Sequence, residues 1–163
     1  MEDKNTTETL RPVLGDFSSI VCFRALVVGV EETLGKRAAM VALRSAGRKR
    51  GSSLVQSLGL SGKGPAEGAE GAAILTQALG PEGTKLCIVN DLKILEDGEV
   101  YEVYLSDTIC SADEPQGSDR ELSFTYGAIH GAIEEFYDIK LRGKQVGSIL
   151  RGQDYDIVRF VKR

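Results

Sequence analysis

The only histidine of the chain, His130, lies between Gly127 and Gly131 in a stretch with helical character, FTYGAIHGAIEEFY. Residues four apart lie on one face of a helix, so the two glycines leave that face without side chains. Glycine costs roughly 1 kcal/mol relative to alanine inside a helix. Two glycines on one face therefore indicate that either another backbone or a ligand comes very close. A catalytic arrangement of the Ser-His-Asp or Cys-His type would depend on His130 alone.

His130 has two interpretations, because it lies close to the grooved face. It either contacts a bound molecule such as a tetrapyrrole, or it is a helix histidine whose ring is satisfied within the fold. Tyr126 combines an aromatic body with a polar tip, which suits the orientation of an otherwise apolar ligand, although packing alone explains it as well. The predicted ligand-binding residues are Tyr104, Cys110, Tyr126, Gly127, His130 and Gly131.

Sequence motifs for metal, phosphate or acyl chemistry are absent. Cys22, Cys87 and Cys110 are far apart and form no C-x-x-C spacing, so no metal site is predicted. The segment GLSGKG at 59–64 lacks the Gly-Lys-Ser/Thr ending of a phosphate loop and does not follow a strand. No G-x-S-x-G motif is present. We expect a protein without enzymatic activity, and the scattered, odd-numbered cysteines indicate reduced thiols in the cytoplasm.

A basic segment stands out against the net charge of −4: from Lys36 to Lys63 there are seven basic residues and no acidic one. This segment is either a solvated helix face or a docking site for an acidic partner. No aromatic residues are interleaved with the charges, so nucleic acid is not an expected partner. The residues predicted to meet an acidic protein are Arg44, Arg48, Lys49 and Arg50.

Helical periodicity predicts two helices near the start of the chain. Asp16 is a plausible N-cap for the first, in which apolar residues recur at helical spacing. The second begins near Thr33 and carries two further glycines four residues apart, in a smooth apolar strip. Such a strip lets helices approach closely and serves either a homodimer or packing within the chain. The predicted dimer interface is Met40, Leu43, Gly47, Gly51 and Leu54.

The remaining elements follow from changes in period and from glycine and proline. We predict a loop over 59–71, a short helix ending at Gly80-Pro81, and a long loop over 108–120. The predicted strands and later helices are 85–95, 99–107, 122–137 (helix), 141–150 and 155–161. The long loop is predicted to be a mobile gate, since loops of this length are usually functional or disordered.

The order helix, helix, helix, strand, strand, helix, strand, strand predicts an α+β fold with a four-stranded antiparallel sheet. Residues 1–15 are polar and are predicted to form a flexible tail without a secretory signal, and residues 16–163 a single domain. No run approaches the roughly 18 apolar residues needed to span a membrane.

This order, together with AGRKRG at 46–51 and FTYGAIHGAIEEFYDIKLRG at 124–143, resembles the hydrocarbon-binding, 4-vinyl-reductase-like domain family. Subunits of the vesicle-tethering transport particle and haem nitric-oxide sensors share that fold. The resemblance covers about residues 17–161. It implies an apolar cavity between sheet and helices that holds a hydrocarbon, acyl chain or tetrapyrrole, and a homodimer through the first helices.

The chain departs from the family at three positions where many members have metal-associated cysteines: Leu122, Ser148 and Asp156. The metal function is therefore not expected. The resemblance favours non-enzymatic binding of a small hydrophobic ligand. The alternative is a homodimeric scaffold with a closed core that acts through its basic second helix. Reduction of a vinyl group is a more distant alternative, because a shared fold does not establish an activity.

Overall fold

The computed structural model describes residues 11, 13 and 19–163, so the predicted N-cap Asp16 lies outside the described residues. The helices are α1 (Ile20–Leu34), α2 (Lys36–Ser57), α3 (Gly68–Leu79) and α4 (Phe124–Tyr137). The strands are β1 (Ile88–Leu95), β2 (Val100–Ser106), β3 (Leu141–Gly147) and β4 (Asp156–Lys162). The predicted α+β class and the predicted order of elements are confirmed.

The four strands form one antiparallel sheet in the order β1-β2-β4-β3. Each hairpin pairs its own two strands, and pairing of β2 with β4 joins the hairpins. Side chains alternate between the two faces of the sheet. In β4, Val158 and Phe160 are fully buried, whereas Ile157 and Arg159 lie on the other face and are partly exposed.

The main core lies between one face of the sheet and the helices α3 and α4. From α4, Ile129, Ile133 and Phe136 are fully buried, and from α3, Leu75 and Leu79 are almost fully buried. The sheet contributes Val103, Leu105, Val158 and Phe160. Helix α2 packs along the other side of α4, and its contact with α1 is smaller. Across the described residues, every helix is too short or too polar to cross a bilayer.

The turn between α1 and α2 lies at Gly35, somewhat later than the predicted turn at residues 31–33. Gly35 has φ +78°, a conformation that favours glycine, and its amide donates to the carbonyl of Glu31 at 2.8 Å. At the start of α1, the hydroxyl of Ser19 accepts from the amide of Val21 at 3.2 Å and supplies the N-cap.

Three strands are shorter than predicted: β2 by one residue at each end, and β1 and β3 by three residues at one end, where neighbouring segments form other hydrogen bonds. β1 begins at Ile88 and not at Lys85: the amide of Leu86 donates to the carbonyl of Leu79 at 2.7 Å, which ties this segment to the end of α3. β3 ends at Gly147, and residues 149–151 form a short 3-10 turn in which the hydroxyl of Ser148 accepts from the amide of Leu150.

Candidate functional site

The four glycines singled out in the sequence face one another where α2 crosses α4. A Cβ atom on Gly47 would lie 2.1 Å from the carbonyl oxygen of Phe124, and one on Gly51 would lie 2.0 Å from that of Ala128. In the other direction, a Cβ on Gly127 or Gly131 would lie 2.1 or 2.0 Å from the carbonyl oxygens of Arg44 and Arg48. The backbone of α2 therefore occupies the glycine face of α4. Of the two predicted alternatives, a close backbone or a ligand, the structure shows a close backbone.

The same contact uses the strip that was predicted to form a dimer interface. Leu43, Gly47, Gly51 and Leu54 are buried within a single chain, and Met40 is half-buried. A second copy cannot reach the two glycines while α4 covers them. The strip therefore packs within the chain, and a homodimer through the first helices stays a prediction that needs another surface.

A buried polar cluster lies beside the glycine contact, around Glu134. One carboxylate oxygen accepts from the amide of Leu141 at 2.8 Å, and the other accepts from Nε of Arg48 at 2.8 Å. Burial disfavours the charged form of Glu134, but these hydrogen bonds from Leu141 and Arg48 outweigh it and lower the pKa of the carboxyl. Glu134 thus links α4 to both α2 and β3.

His130 belongs to this cluster. Its Nε2 atom lies 3.2 Å from the carbonyl oxygen of Leu141 and 3.3 Å from Oε1 of Glu134, two acceptors that favour a proton on that nitrogen. Burial lowers the pKa of His130, and Glu134 opposes this effect only in part. The ring is therefore neutral near pH 7 and satisfied within the fold.

Tyr126 lies on the same side of α4 as His130, among aromatic rings. Its ring centroid is 5.9 Å from that of His130 and 5.4 Å from that of Phe160. The guanidinium carbon of Arg44 stands 4.2 Å from the ring centroid, a cation–π distance. Burial raises the pKa of the phenol. Packing between α4, α2 and β4 accounts for Tyr126.

The other two predicted ligand-binding residues lie elsewhere. Cys110 is buried, and its sulfur accepts from the hydroxyl of Thr125 at 3.3 Å. Tyr104 lies on the sheet face opposite the core, where its ring meets that of Tyr155 and its hydroxyl contacts Glu102. The six predicted residues therefore do not form one site, and a ligand contact at any of them stays a prediction.

An apolar groove with a volume of about 690 Å³ opens beside the glycine contact. Buried residues Gly51, Leu54 and Ala128 form its floor. Ile20 and Phe23 of α1 line it as well, and the ring of Phe23 packs edge-on against that of Phe124 at 5.5 Å. The remaining lining comes from Arg50, Leu79, the segment 83–86, Ile109 and Phe124.

The groove lies on a different side of α4 from the cavity implied by the family resemblance. No strand residue lines it, and none of the six predicted ligand-binding residues does. The side of α4 that faces the sheet is occupied by the fully buried side chains Ile129, Ile133 and Phe136. Local periodicity could not locate the groove, because its walls come from segments far apart in the sequence.

Three polar residues interrupt the apolar lining: Arg50, Thr84 and Lys85. Arg50 and Lys85 are exposed and lie at the rim. The hydroxyl of Thr84 is buried and has no hydrogen-bond partner among the described residues. Lys85 has φ +53°, so the segment turns sharply here where the sequence predicted a regular strand.

The basic helix α2 meets acidic groups of its own chain. Arg44 pairs with Glu121 at 3.0 Å, and Lys36 pairs with Asp119 at 3.0 Å. Arg48 pairs with Glu134 in the buried cluster. Two of the four residues predicted to bind an acidic partner are therefore already engaged, whereas Lys49 and Arg50 are exposed.

The loop at 108–120 is fastened to the body of the domain. Arg120 pairs with Glu31 of α1 at 2.7 Å and with Glu114 at 3.0 Å. The amide of Gly117 donates to the carbonyl of Leu150 at 2.7 Å. These contacts favour a fixed surface connection over the predicted mobile gate, which stays a prediction.

Two of the three positions matched to family cysteines, Ser148 and Asp156, make hydrogen bonds at or near the loop at 108–120. Asp156 is fully buried and accepts from the hydroxyls of Thr108 at 2.9 Å and Ser111 at 2.8 Å. Ser148 caps the short turn that follows β3. Within the part of the chain that the structure describes, no three His, Cys, Asp or Glu residues are grouped in a way that would hold a metal ion.

Comparisons with known proteins identify the fold. No family model matches the chain, and no curated protein matches its sequence. Among solved structures, the phenol-responsive sensory domain of the transcription activator PoxR, determined with phenol, is similar with a TM-score of 0.64 and 13% identity. That similarity covers 90% of this chain and 76% of the PoxR domain.

A second similar structure is a trafficking protein particle complex subunit 3 from Naegleria fowleri, covalently bound to palmitic acid. Its TM-score is 0.54 and its identity 14%, with coverage of 89% of this chain and 97% of the subunit. At these identities the likeness shows the fold alone. It agrees with the predicted fold relationship to transport-particle subunits, while membership of the 4-vinyl-reductase-like family stays a prediction.

Proposed function

We propose that this domain binds a small hydrophobic molecule, such as a hydrocarbon or an acyl chain, in the groove between α1, α2 and α4. The observation that carries the proposal is the groove itself: about 690 Å³, with a floor of Gly51, Leu54 and Ala128. Ligand sites typically have about 300–1,000 Å³ and a predominantly apolar lining. The two similar structures hold phenol and palmitic acid, which supports a small apolar ligand in this fold.

The proposal does not include a tetrapyrrole ligated by His130. The Nε2 atom of that ring faces Leu141 and Glu134, and His130 does not line the groove. Catalysis is not part of the proposal either, because the described residues that line the groove supply no nucleophile paired with a base.

The test is to extract the natively purified protein, analyse the extract by mass spectrometry, and titrate the protein with a fluorescent fatty acid. We expect an apolar compound in the extract, or saturable binding. Ile109→Trp fills the groove and should weaken binding by at least about tenfold, roughly 1.4 kcal/mol. The matched control is Val146→Trp, at an exposed position on β3 away from the groove, which should bind like the wild type.

Two results would contradict the proposal. One is the absence of any recovered compound together with no binding of the fluorescent fatty acid or of an alkylphenol. The other is an equal loss of binding in Ile109→Trp and Val146→Trp, since that would not locate the ligand in the groove.

A scaffold function is the second candidate, supported by the surface of α1. This 15-residue helix is largely apolar, yet only Val27 is buried. Val21 is 72% exposed, Leu26 59% and Leu34 55%. An apolar surface of this kind is typical of protein–protein contact, and a second copy of the chain is the simplest partner.

A further inference from the structure

The lining of the groove is apolar apart from Arg50, Thr84 and Lys85. The hydroxyl of Thr84 is covered by protein atoms and has no hydrogen-bond partner among the described residues, so a ligand in the groove does not reach it. Arg50, by contrast, is exposed and can meet a polar end of a ligand.

The charged residues at the groove indicate that a polar end of the ligand would be negatively charged. Arg50 lines the groove and makes no ion pair or hydrogen bond with any described residue, whereas Arg44 and Arg48 of the same helix pair with Glu121 and Glu134. None of the described residues that line the groove is acidic. Arg50 therefore gives the rim a positive charge although the chain as a whole is negative.

We infer that the ligand is an amphipathic carboxylate, whose apolar chain lies in the groove and whose carboxylate binds at Arg50. The inference rests on the proposed function and specifies the ligand class for the same groove. The guanidinium of Arg50 supplies the opposite charge and the N–H donors for the carboxylate oxygens. Neutral hydrocarbons and long-chain alcohols fit the apolar walls of the groove, but they carry no negative charge that could pair with Arg50.

The experiment compares two ligands of equal chain length, dodecanoate and dodecanol, by displacement of a fluorescent probe from the full chain at pH 8. We expect dodecanoate to bind at least about tenfold more tightly than dodecanol, which is the contribution of roughly one charge-assisted hydrogen bond. Arg50→Gln should remove most of this preference while dodecanol binding stays the same. Lys49→Gln is the matched control, because Lys49 is the neighbouring cation on α2 and does not line the groove.

The outcomes distinguish this inference from the proposed function. If dodecanol binds as tightly as dodecanoate, or if Lys49→Gln loses the preference as fully as Arg50→Gln, the carboxylate inference fails while the groove still binds apolar molecules. If neither compound displaces the probe, both the inference and the proposed function fail.

Discussion

Gly51 of α2 lies against the carbonyl oxygen of Ala128 of α4 so closely that a single added methyl group would come within 2.0 Å of it. The neighbour is backbone, which cannot rotate away as a side chain can. The packing of α2 on α4 therefore depends on the absence of a side chain at this position.

Gly51→Ala should lower the free energy of unfolding by about 2–3 kcal/mol, the upper range for overpacking a rigid contact. Urea denaturation followed by circular dichroism measures this change. The matched control is Gly29→Ala in α1, where an added Cβ meets nothing within 4 Å. That variant should be more stable by up to about 1 kcal/mol because alanine is the better helix former. Equal midpoints for Gly51→Ala and the wild type would contradict the close contact.

The pKa of His130 should lie below the usual value of 6.5, because burial disfavours its charged form. As the chain has one histidine, a single set of ring signals in an NMR titration reports it directly. A folded-state pKa below the unfolded one means that stability is fully present above about pH 6.5 and is lost as the pH falls through the folded value. Glu134 shifts in the same direction from 4.5, so its contribution is lost at lower pH.

The variant His130→Gln isolates this effect, since the amide nitrogen of glutamine can still donate to the carbonyl of Leu141. Between pH 7 and pH 5 the wild type should lose more stability in urea than the variant does. A His130 pKa at or above 6.5, or parallel pH profiles for both proteins, would show that the ring is not buried as described.

Helix α1 should carry the contact between two copies of the chain. Leu26→Asp places a charge on the exposed apolar face of α1 and should shift the protein to monomer in analytical ultracentrifugation. Val146→Asp, which alters an exposed apolar residue on β3, should leave the assembly unchanged. A wild-type protein that sediments as a monomer at tens of micromolar, or a dimer that survives in Leu26→Asp, would rule out this surface.

Arg120 should determine how firmly the loop at 108–120 is held, because it bridges Glu114 of the loop and Glu31 of α1. Arg120→Gln should speed amide hydrogen exchange in this loop several-fold, with little change in the core strands. Arg142→Gln, at an exposed position on β3, is the control. Rapid exchange of the loop already in the wild type, slowed by an apolar ligand, would restore the mobile-gate hypothesis.

Local patterns in the sequence predicted the elements of this fold well, because periodicity, glycine and proline act over short distances. The ends at Gly35 and Ile88 were missed since they depend on one positive φ angle and on hydrogen bonds to the end of α3. The glycines at 127 and 131 indicated a close approach, but the pattern could not identify Arg44 and Arg48 as the partners. Those residues lie more than 80 positions earlier in the chain.

The groove could not be predicted from the sequence either, because its residues are also far apart in the chain. Its lining comes from α1, α2, α4 and the segments around Thr84 and Ile109, and no motif connects them. The sequence shows that α2 is basic. Only the fold distinguishes Arg48, which pairs with Glu134, from Arg50, which lines the groove.

Gly51 and Ala128 belong both to the groove floor and to the contact between α2 and α4, so a larger side chain at Gly51 reshapes the floor only at a substantial cost in stability. Variation in ligand preference should then arise on the wall formed by α1, at Ile20 and Phe23. Ile20 is exposed and Phe23 is half-buried, whereas in the segment 83–86 Leu86 is buried and a Cβ on Gly83 would lie 1.9 Å from the carbonyl oxygen of Ala78. A single backbone framework of this kind can supply a series of binding proteins that differ in selectivity while sharing one scaffold.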